Sequence, residues 1–211
     1  MYNTLNIEIL QYYRIGLPEE TDAFANSRKP LLVKLKYNPS GQVYYLINVH
    51  NKSKSGDSSP WGSLQPAVPF SFVQRIKQTT YIKNWITHNL DKSTDNIIIS
   101  GDFNDYEWSD SVNVLDDNTS NRFMKNLVND VPVEFRYSFY YNGTYHAIDQ
   151  MIVSEPIYNA IKTTNDTTDI TVKKDYITYS DVLSTQFWIL SLGESLLVDH
   201  NPLICRIPCG I

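Results

Sequence analysis

Cysteine is almost missing from this chain: Cys205 and Cys209 are the only two, and both fall within the last seven residues. That excludes a disulfide framework, and no further Cys or His stands near them at zinc-site spacing. A late local disulfide and two free thiols both remain open. Long hydrophobic runs are missing as well. No stretch approaches the roughly 18 apolar residues of a membrane span, and Met1-Tyr2-Asn3-Thr4 lacks the basic-then-apolar profile of a signal peptide. An excess of positive charge is also lacking, since 18 Lys and Arg face 23 Asp and Glu for a net charge of −5. A broad electrostatic grip on nucleic acid needs clustered Lys and Arg, so that mode is excluded, while a local basic strip beside an acidic site is not. The expectation is a soluble protein, secreted if its natural N-terminus lies upstream of Met1. The sequons at Asn51, Asn118, Asn142 and Asn165 are at chance level in so Asn-rich a chain.

What is present is ordinary globular composition, 42% hydrophobic and 19% charged over 211 residues, enough for one domain spanning 1–211 with a real core. Fifteen Tyr, eight Phe and four Trp can fill that core or leave rings at a binding surface. No internal repeat, linker or low-complexity block interrupts it.

The pattern predicts strands over 5–13, 31–37 and 43–49, the last two joined into a hairpin by the turn signal Asn38-Pro39-Ser40-Gly41. A Ser/Gly/Pro-rich loop follows. Phe72, Val73, Ile76, Thr80, Ile82 and Ile86 then share a helical stripe, with Ser71 as its cap. Ile97-Ile98-Ile99 lacks alternation and reads as a strand buried on both faces. A short helix over 121–130, strands near 136–141 and 147–153, an irregular segment over 155–197 and a closing strand over 202–207 complete the expectation. The class is α+β, a mixed α/β layer protein with much antiparallel sheet.

Residues with catalytic potential recur at strand ends, where a rigid sheet holds loops together. His50 follows one strand, Asp102 and Asn104 follow another, Asp149 stands beside a third, and Asp199 and His200 open the last. Carboxylates such as Asp102 and Asp199 offer hard oxygens to Mg²⁺ or Mn²⁺. Histidines beside carboxylates suit acid–base work near neutral pH. Together they are parts for metal-assisted attack of water on a phosphodiester.

The strings Asn48-Val49-His50-Asn51-Lys52-Ser53, Gly101-Asp102-Phe103-Asn104, Ile148-Asp149-Gln150-Met151-Ile152-Val153-Ser154 and Asp199-His200-Asn201-Pro202 occur in this order, and Ser27-Arg28-Lys29-Pro30 precedes the hairpin. In that sequence of motifs, over about residues 28 to 207, the chain resembles the endonuclease/exonuclease/phosphatase superfamily, which includes deoxyribonuclease I, and within it the bacterial extracellular nuclease branch. The resemblance implies a two-sheet β-sandwich flanked by helices. It implies that His50 is a general acid or phosphate contact and that Asp102 binds or orients the water. Asn104 would hold the phosphoryl oxygens, Asp149 would pair with His200, and Asp199 would ligate Mg²⁺, with Mn²⁺ or Ca²⁺ as alternatives. Lys52 and Arg75, with Lys54 and Lys77, are candidates for a phosphate-facing strip, against the reading of a plain solvated face. Trp61 and Tyr106-Glu107-Trp108 are candidates for base stacking, against packing on their own loops. His88 and His146 read as ordinary histidines.

Two features depart from the pattern. Val198 stands where the superfamily usually has Ser, and the usual Glu-bearing strand has no counterpart before Arg28. The expected fold is therefore incomplete at its N-terminus, about the C-terminal two-thirds of the usual one, with a second chain as one source of the missing segment. The expected function is divalent-metal-dependent hydrolysis of nucleic acid, DNA ahead of RNA. The alternatives are a degenerate member acting as a binding or structural subunit, and a phosphodiesterase or phosphatase on a lipid or inositol phosphate.

Overall fold

Leu31–Tyr37 (β2) and Val43–His50 (β3) pair antiparallel, with Leu35 opposite Tyr44. Gly41 closes the connection at φ +74, a left-handed conformation that costs glycine little, and the Tyr37 N–H donates to the Gln42 carbonyl at 2.8 Å. In the computed structural model the described residues are 3–16, 22–58, 62–67, 69–116, 123–133, 136–141 and 144–163. Ile7–Arg14 (β1) adds to the outer side of β2 with a bulge between Ile9 and Gln11. The helix Phe72–Asn89 (α1) then carries the chain back, so that Asn96–Asp102 (β4) lies parallel to β3, as a crossover connection requires.

A four-residue helix Asp110–Asn113 (α2) precedes the short strand Lys125–Asn126 (β5) and a 3-10 turn over Leu127–Asp130. Phe139–Tyr141 (β6) and Thr144–His146 (β7) form a separate two-stranded ribbon. Asp149–Val153 (β8) inserts antiparallel between β4 and β5, giving a six-stranded order β1-β2-β3-β4-β8-β5. Glu155–Thr163 (α3) follows. The mixed α+β class is as expected, and of the expected sandwich the described residues hold this sheet and the ribbon. The closing strand expected over 202–207 lies outside the described residues, as do Cys205 and Cys209.

Side chains alternate across the sheet. Ile47, Val49, Ile97, Ile99 and Ile152 point to one face and pack with Leu32, Ile82 and Ile86. Tyr44, Ile98, Met151 and Val153 point to the other and pack with Leu127, Ile157 and Ile161. The Ile97-Ile98-Ile99 run is thus buried on both faces, as its lack of alternation predicts.

Four local expectations fail for identifiable reasons. The buried side of α1 is Arg75, Gln78, Thr79, Ile82 and Ile86, while Val73 is 59% exposed. Its first turns face polar loops: Gln78 accepts from the Lys52 N–H at 2.9 Å and donates to Ser27 Oγ at 2.9 Å. Ser71 makes no side-chain cap, because its hydroxyl donates to Asp57 Oδ2 at 2.6 Å. The helix expected over 121–130 is a strand and a 3-10 turn in its described part, with the Asn126 side chain accepting from the Val128 N–H. The segment after 155, expected to be irregular, starts with α3, whose Ile157 and Ile161 stand one turn apart on the buried side.

Candidate active site

Because β3 and β4 run parallel and β8 runs against them, the ends of the first two meet the start of the third. His50 stands opposite Asp102, and Asp102 opposite Asp149, in one row across three strands. By alternation the row shares the face of Tyr44, Ile98 and Met151, away from α1. His50 Nε2 lies 3.4 Å from Asp102 Oδ2 and accepts from Arg28 Nη1 at 2.9 Å. The Asp149 N–H donates to Ser138 Oγ at 3.1 Å, which ties the start of β8 to the strand ribbon.

The turn after β4 is built around Asp102. Its Oδ1 accepts from the Asn104 N–H at 2.6 Å, an Asx turn. Asn104 takes φ +52, a left-handed conformation that Asn tolerates better than most residues. Its Nδ2 donates to Asp102 Oδ2 at 3.0 Å and to the Asn51 carbonyl at 3.1 Å. Both amide hydrogens are therefore taken. This differs from the expected grip on a phosphoryl oxygen, which needs a donor: here Asn104 clamps Asp102 and joins the β3 and β4 loops. Gly101 precedes the turn at φ +134, where a Cβ would lie 2.1 Å from the Val49 carbonyl oxygen.

Arg75 is placed elsewhere. It is 2% exposed, its Nε donates to Asp105 Oδ2 at 2.9 Å, and its other nitrogens meet Ser71 Oγ, the Lys52 carbonyl at 3.3 Å and Asp57 at 3.7 Å. That guanidinium has no face for a substrate. The carboxylate that holds it, Asp105, was not singled out in the sequence, although its place just after Gly101–Asn104 is the available signal. Asp105 also receives Lys54 Nζ at 3.1 Å and the Ser111 hydroxyl at 2.8 Å, so Lys54 is drawn inward too. Lys52 is half-buried, its N–H taken by Gln78.

Burial pushes the Asp105 carboxyl up, but the Lys54 and Arg75 cations and the Ser111 hydroxyl outweigh it, and its pKa lies below the ordinary value. A depressed folded pKa adds stability that is full above the unfolded value near about 4 and is lost as pH falls through the folded one. The melting temperature should therefore drop as pH goes from about 5 to about 3, and less steeply in Asp105→Asn, as thermal scans across that window will show.

Beside the row, Tyr106 stacks on Trp108 with centroids 5.1 Å apart and planes 5° apart. The Tyr106 hydroxyl meets His146 Nδ1 at 2.7 Å, and Lys54 Nζ lies 4.0 Å over the Tyr106 ring. The loop aromatics pack on one another while Trp108 stays 68% exposed. Trp61, Asp199 and His200 lie outside the described residues. Among the described residues no three His, Cys, Asp or Glu form a metal-holding group. The chemistry of the donors that are described does suit a hard cation. Asp102 and Asp149 stand opposite each other across the β4–β8 ladder, and carboxylate oxygens are the ligand type that a hard cation takes.

Comparison of the sequence with family models finds no match, and neither does comparison with curated proteins. Solved structures do match. An endonuclease/exonuclease/phosphatase from Bacteroides vulgatus superposes with a TM-score of 0.50 at 16% identity, over 73% of this chain and 57% of that one. The chain shares the fold of that endonuclease/exonuclease/phosphatase. A mannosyl-6-phosphatase from Bacteroides thetaiotaomicron superposes as well, at a TM-score of 0.51 and 14% identity, over 73% of this chain and 55% of that one. So does a conserved protein of unknown function from Enterococcus faecalis, at 0.51 and 16%, over 72% and 57%. The chain thus spans little more than half the length of these structures. No helix among the described residues is long and apolar enough to cross a membrane.

Proposed function

We propose that this chain takes part in hydrolysis of phosphodiester bonds in nucleic acid, assisted by a divalent cation, Mg²⁺ or Mn²⁺. The observation that supports this reading most is the row His50, Asp102, Asp149 on one sheet face, with Asp102 fixed by Asn104. Asp102 is the residue to orient a water and offer an oxygen ligand, and its rigid turn avoids reorganisation during the reaction. Arg28 keeps further N–H groups for a phosphoryl oxygen, and its planar fork matches phosphate geometry. Its bond to Nε2 holds the His50 ring at the edge of the Asp102 carboxylate. A bound cation would supply charge stabilisation at the phosphoryl oxygens. The resemblance adds Asp199 as a further ligand and His200 as the partner of Asp149, and Lys52 is the remaining candidate for a phosphate contact. Nucleic acid is preferred over lipid or sugar phosphate because of the Asn48-Val49-His50-Asn51-Lys52-Ser53 string.

The test compares bis(p-nitrophenyl) phosphate, p-nitrophenyl phosphate and supercoiled plasmid with Mg²⁺, Mn²⁺ or EDTA. The diester and the plasmid should be cleaved only with metal, and Asp102→Asn should lower the rate on the order of 10³-fold, about 4 kcal/mol in barrier. Mn²⁺ should also raise the melting temperature of the wild type and not of Asp102→Asn, since a ligand bound to the native state stabilises it. Cleavage of the monoester alone would move the assignment to a phosphatase. Absence of both turnover and a Mn²⁺ shift would leave a binding subunit and refute the proposal.

A further inference from the structure

On the β1 side of His50 the same sheet face opens into a cleft of about 570 Å³, lined by Arg14, Ser27, Arg28, Lys29, Leu31, Asn48 and His50. Its floor follows from the register. Arg14 pairs with Leu31 and Leu31 with Asn48, a row two residues back from His50, and alternation puts it on the face of His50. Arg14 and Arg28 are exposed and Lys29 is half-buried. Among the described residues none of these cations is paired with a carboxylate, and no described carboxylate lines the cleft. In a chain of net charge −5, three unpaired cations around one concavity beside a candidate catalytic histidine mark an anion site. The contrast with Arg75 and Lys54 is direct, because those cations are consumed by Asp105.

We infer that the Arg14–Lys29 cleft binds a second phosphate of the substrate, the one next along the chain from the phosphate held at Arg28 and His50. This rests on the phosphodiesterase reading above and deepens it, because it makes the substrate an oligonucleotide with at least two backbone phosphates. Two residues along a strand and two strands across place the Arg14 Cα about 12 Å from that of His50. A long Arg side chain shortens that gap toward a neighbouring phosphate. The volume falls within the roughly 300–1,000 Å³ range of small-ligand sites, enough for one nucleotide unit. The Leu31 side chain, 38% exposed, adds an apolar patch to the floor.

Binding is measured with a fluorescein-labelled single-stranded DNA 12-mer in EDTA, so that no turnover is needed. Arg14→Ala/Lys29→Ala should raise Kd at least about tenfold and lower the slope of log K against log salt by at least about 0.7, one phosphate contact on a single strand. The charge-matched control is Lys34→Ala/Lys36→Ala, whose residues pair with Tyr45 and Val43 and so belong to the α1 face. It should change Kd less than about twofold, with melting temperatures confirming that both variants fold. In the presence of metal, the Arg14/Lys29 variant should raise KM for the 12-mer and leave hydrolysis of bis(p-nitrophenyl) phosphate, which has a single phosphate, unchanged. Equal losses in the two variants, or none in the first, would overturn the second-phosphate site while leaving the hydrolase reading intact. Cleft-dependent binding by a chain that never hydrolyses would do the reverse. Inorganic phosphate at millimolar concentration should not displace the 12-mer, and full displacement would show a free-phosphate site instead.

Discussion

Gly101→Ala should cost at least about 3 kcal/mol of stability and at the extreme leave no folded protein. Gly101 holds φ +134, and such a conformation costs a residue with a Cβ on the order of 1–3 kcal/mol before any contact is counted. The contact is worse than the torsion. The added carbon would sit 2.1 Å from the Val49 carbonyl oxygen, which is backbone of the neighbouring parallel strand and cannot rotate aside. Relief requires β3 and β4 to separate where His50 and Asp102 face each other, so any protein that does fold should also lose the 3.4 Å approach of those two side chains. Urea unfolding measures the loss, and a midpoint within experimental error of wild type would contradict the assigned backbone conformation.

Asp105→Ala is the second large effect, with an expected loss of about 3–5 kcal/mol, because it leaves the Arg75 guanidinium buried without its closest carboxylate. Asp57, 3.7 Å away, compensates only in part. Removing both charges is predicted to be milder than removing one: Arg75→Met/Asp105→Ala should recover a substantial part of the loss. A double variant as unstable as the sum of its parts would mean that Arg75 and Asp105 do not act as a unit. The pair also bridges α1 to the loop that follows Asn104, so Asp105→Ala should loosen the Asp102 turn without touching it.

The fold was legible wherever a segment's own pattern matched its surroundings. The 31–37 and 43–50 strands carry turn chemistry between them, and Ile97-Ile98-Ile99 announces a strand covered on both sides. The stripe on α1 misled because three of its five buried residues are polar. Arg75 and Gln78 are buried by the loops they hydrogen-bond, and Thr79 turns its hydroxyl back to carbonyls of its own helix, to which hydrophobic spacing is blind. The start of α3 was missed because Ile157 and Ile161 alone are too sparse a signal beside the Thr- and Asp-rich stretch that follows. At the site, strand-end position was enough to single out His50, Asp102, Asn104 and Asp149. What position could not reveal is where the hydrogen bonds go. Asn104 reads as a free donor in sequence and is a clamp in space, while Arg75 reads as a phosphate contact and is an internal counter-ion.

The register across β3, β4 and β8 also determines when the site exists during folding. His50, Asp102 and Asp149 come from three strands joined by long connections, so no segment of the chain holds even a rough version of the trio. Closing such loops is entropically slow, and the reward comes only when the last strand docks. With β8 seated between β4 and β5, the assembly of chemistry coincides with the completion of the sheet's interior. A molecule in which β8 has not yet docked can pair His50 with Asp102 but lacks Asp149, so the row is complete only when the sheet is.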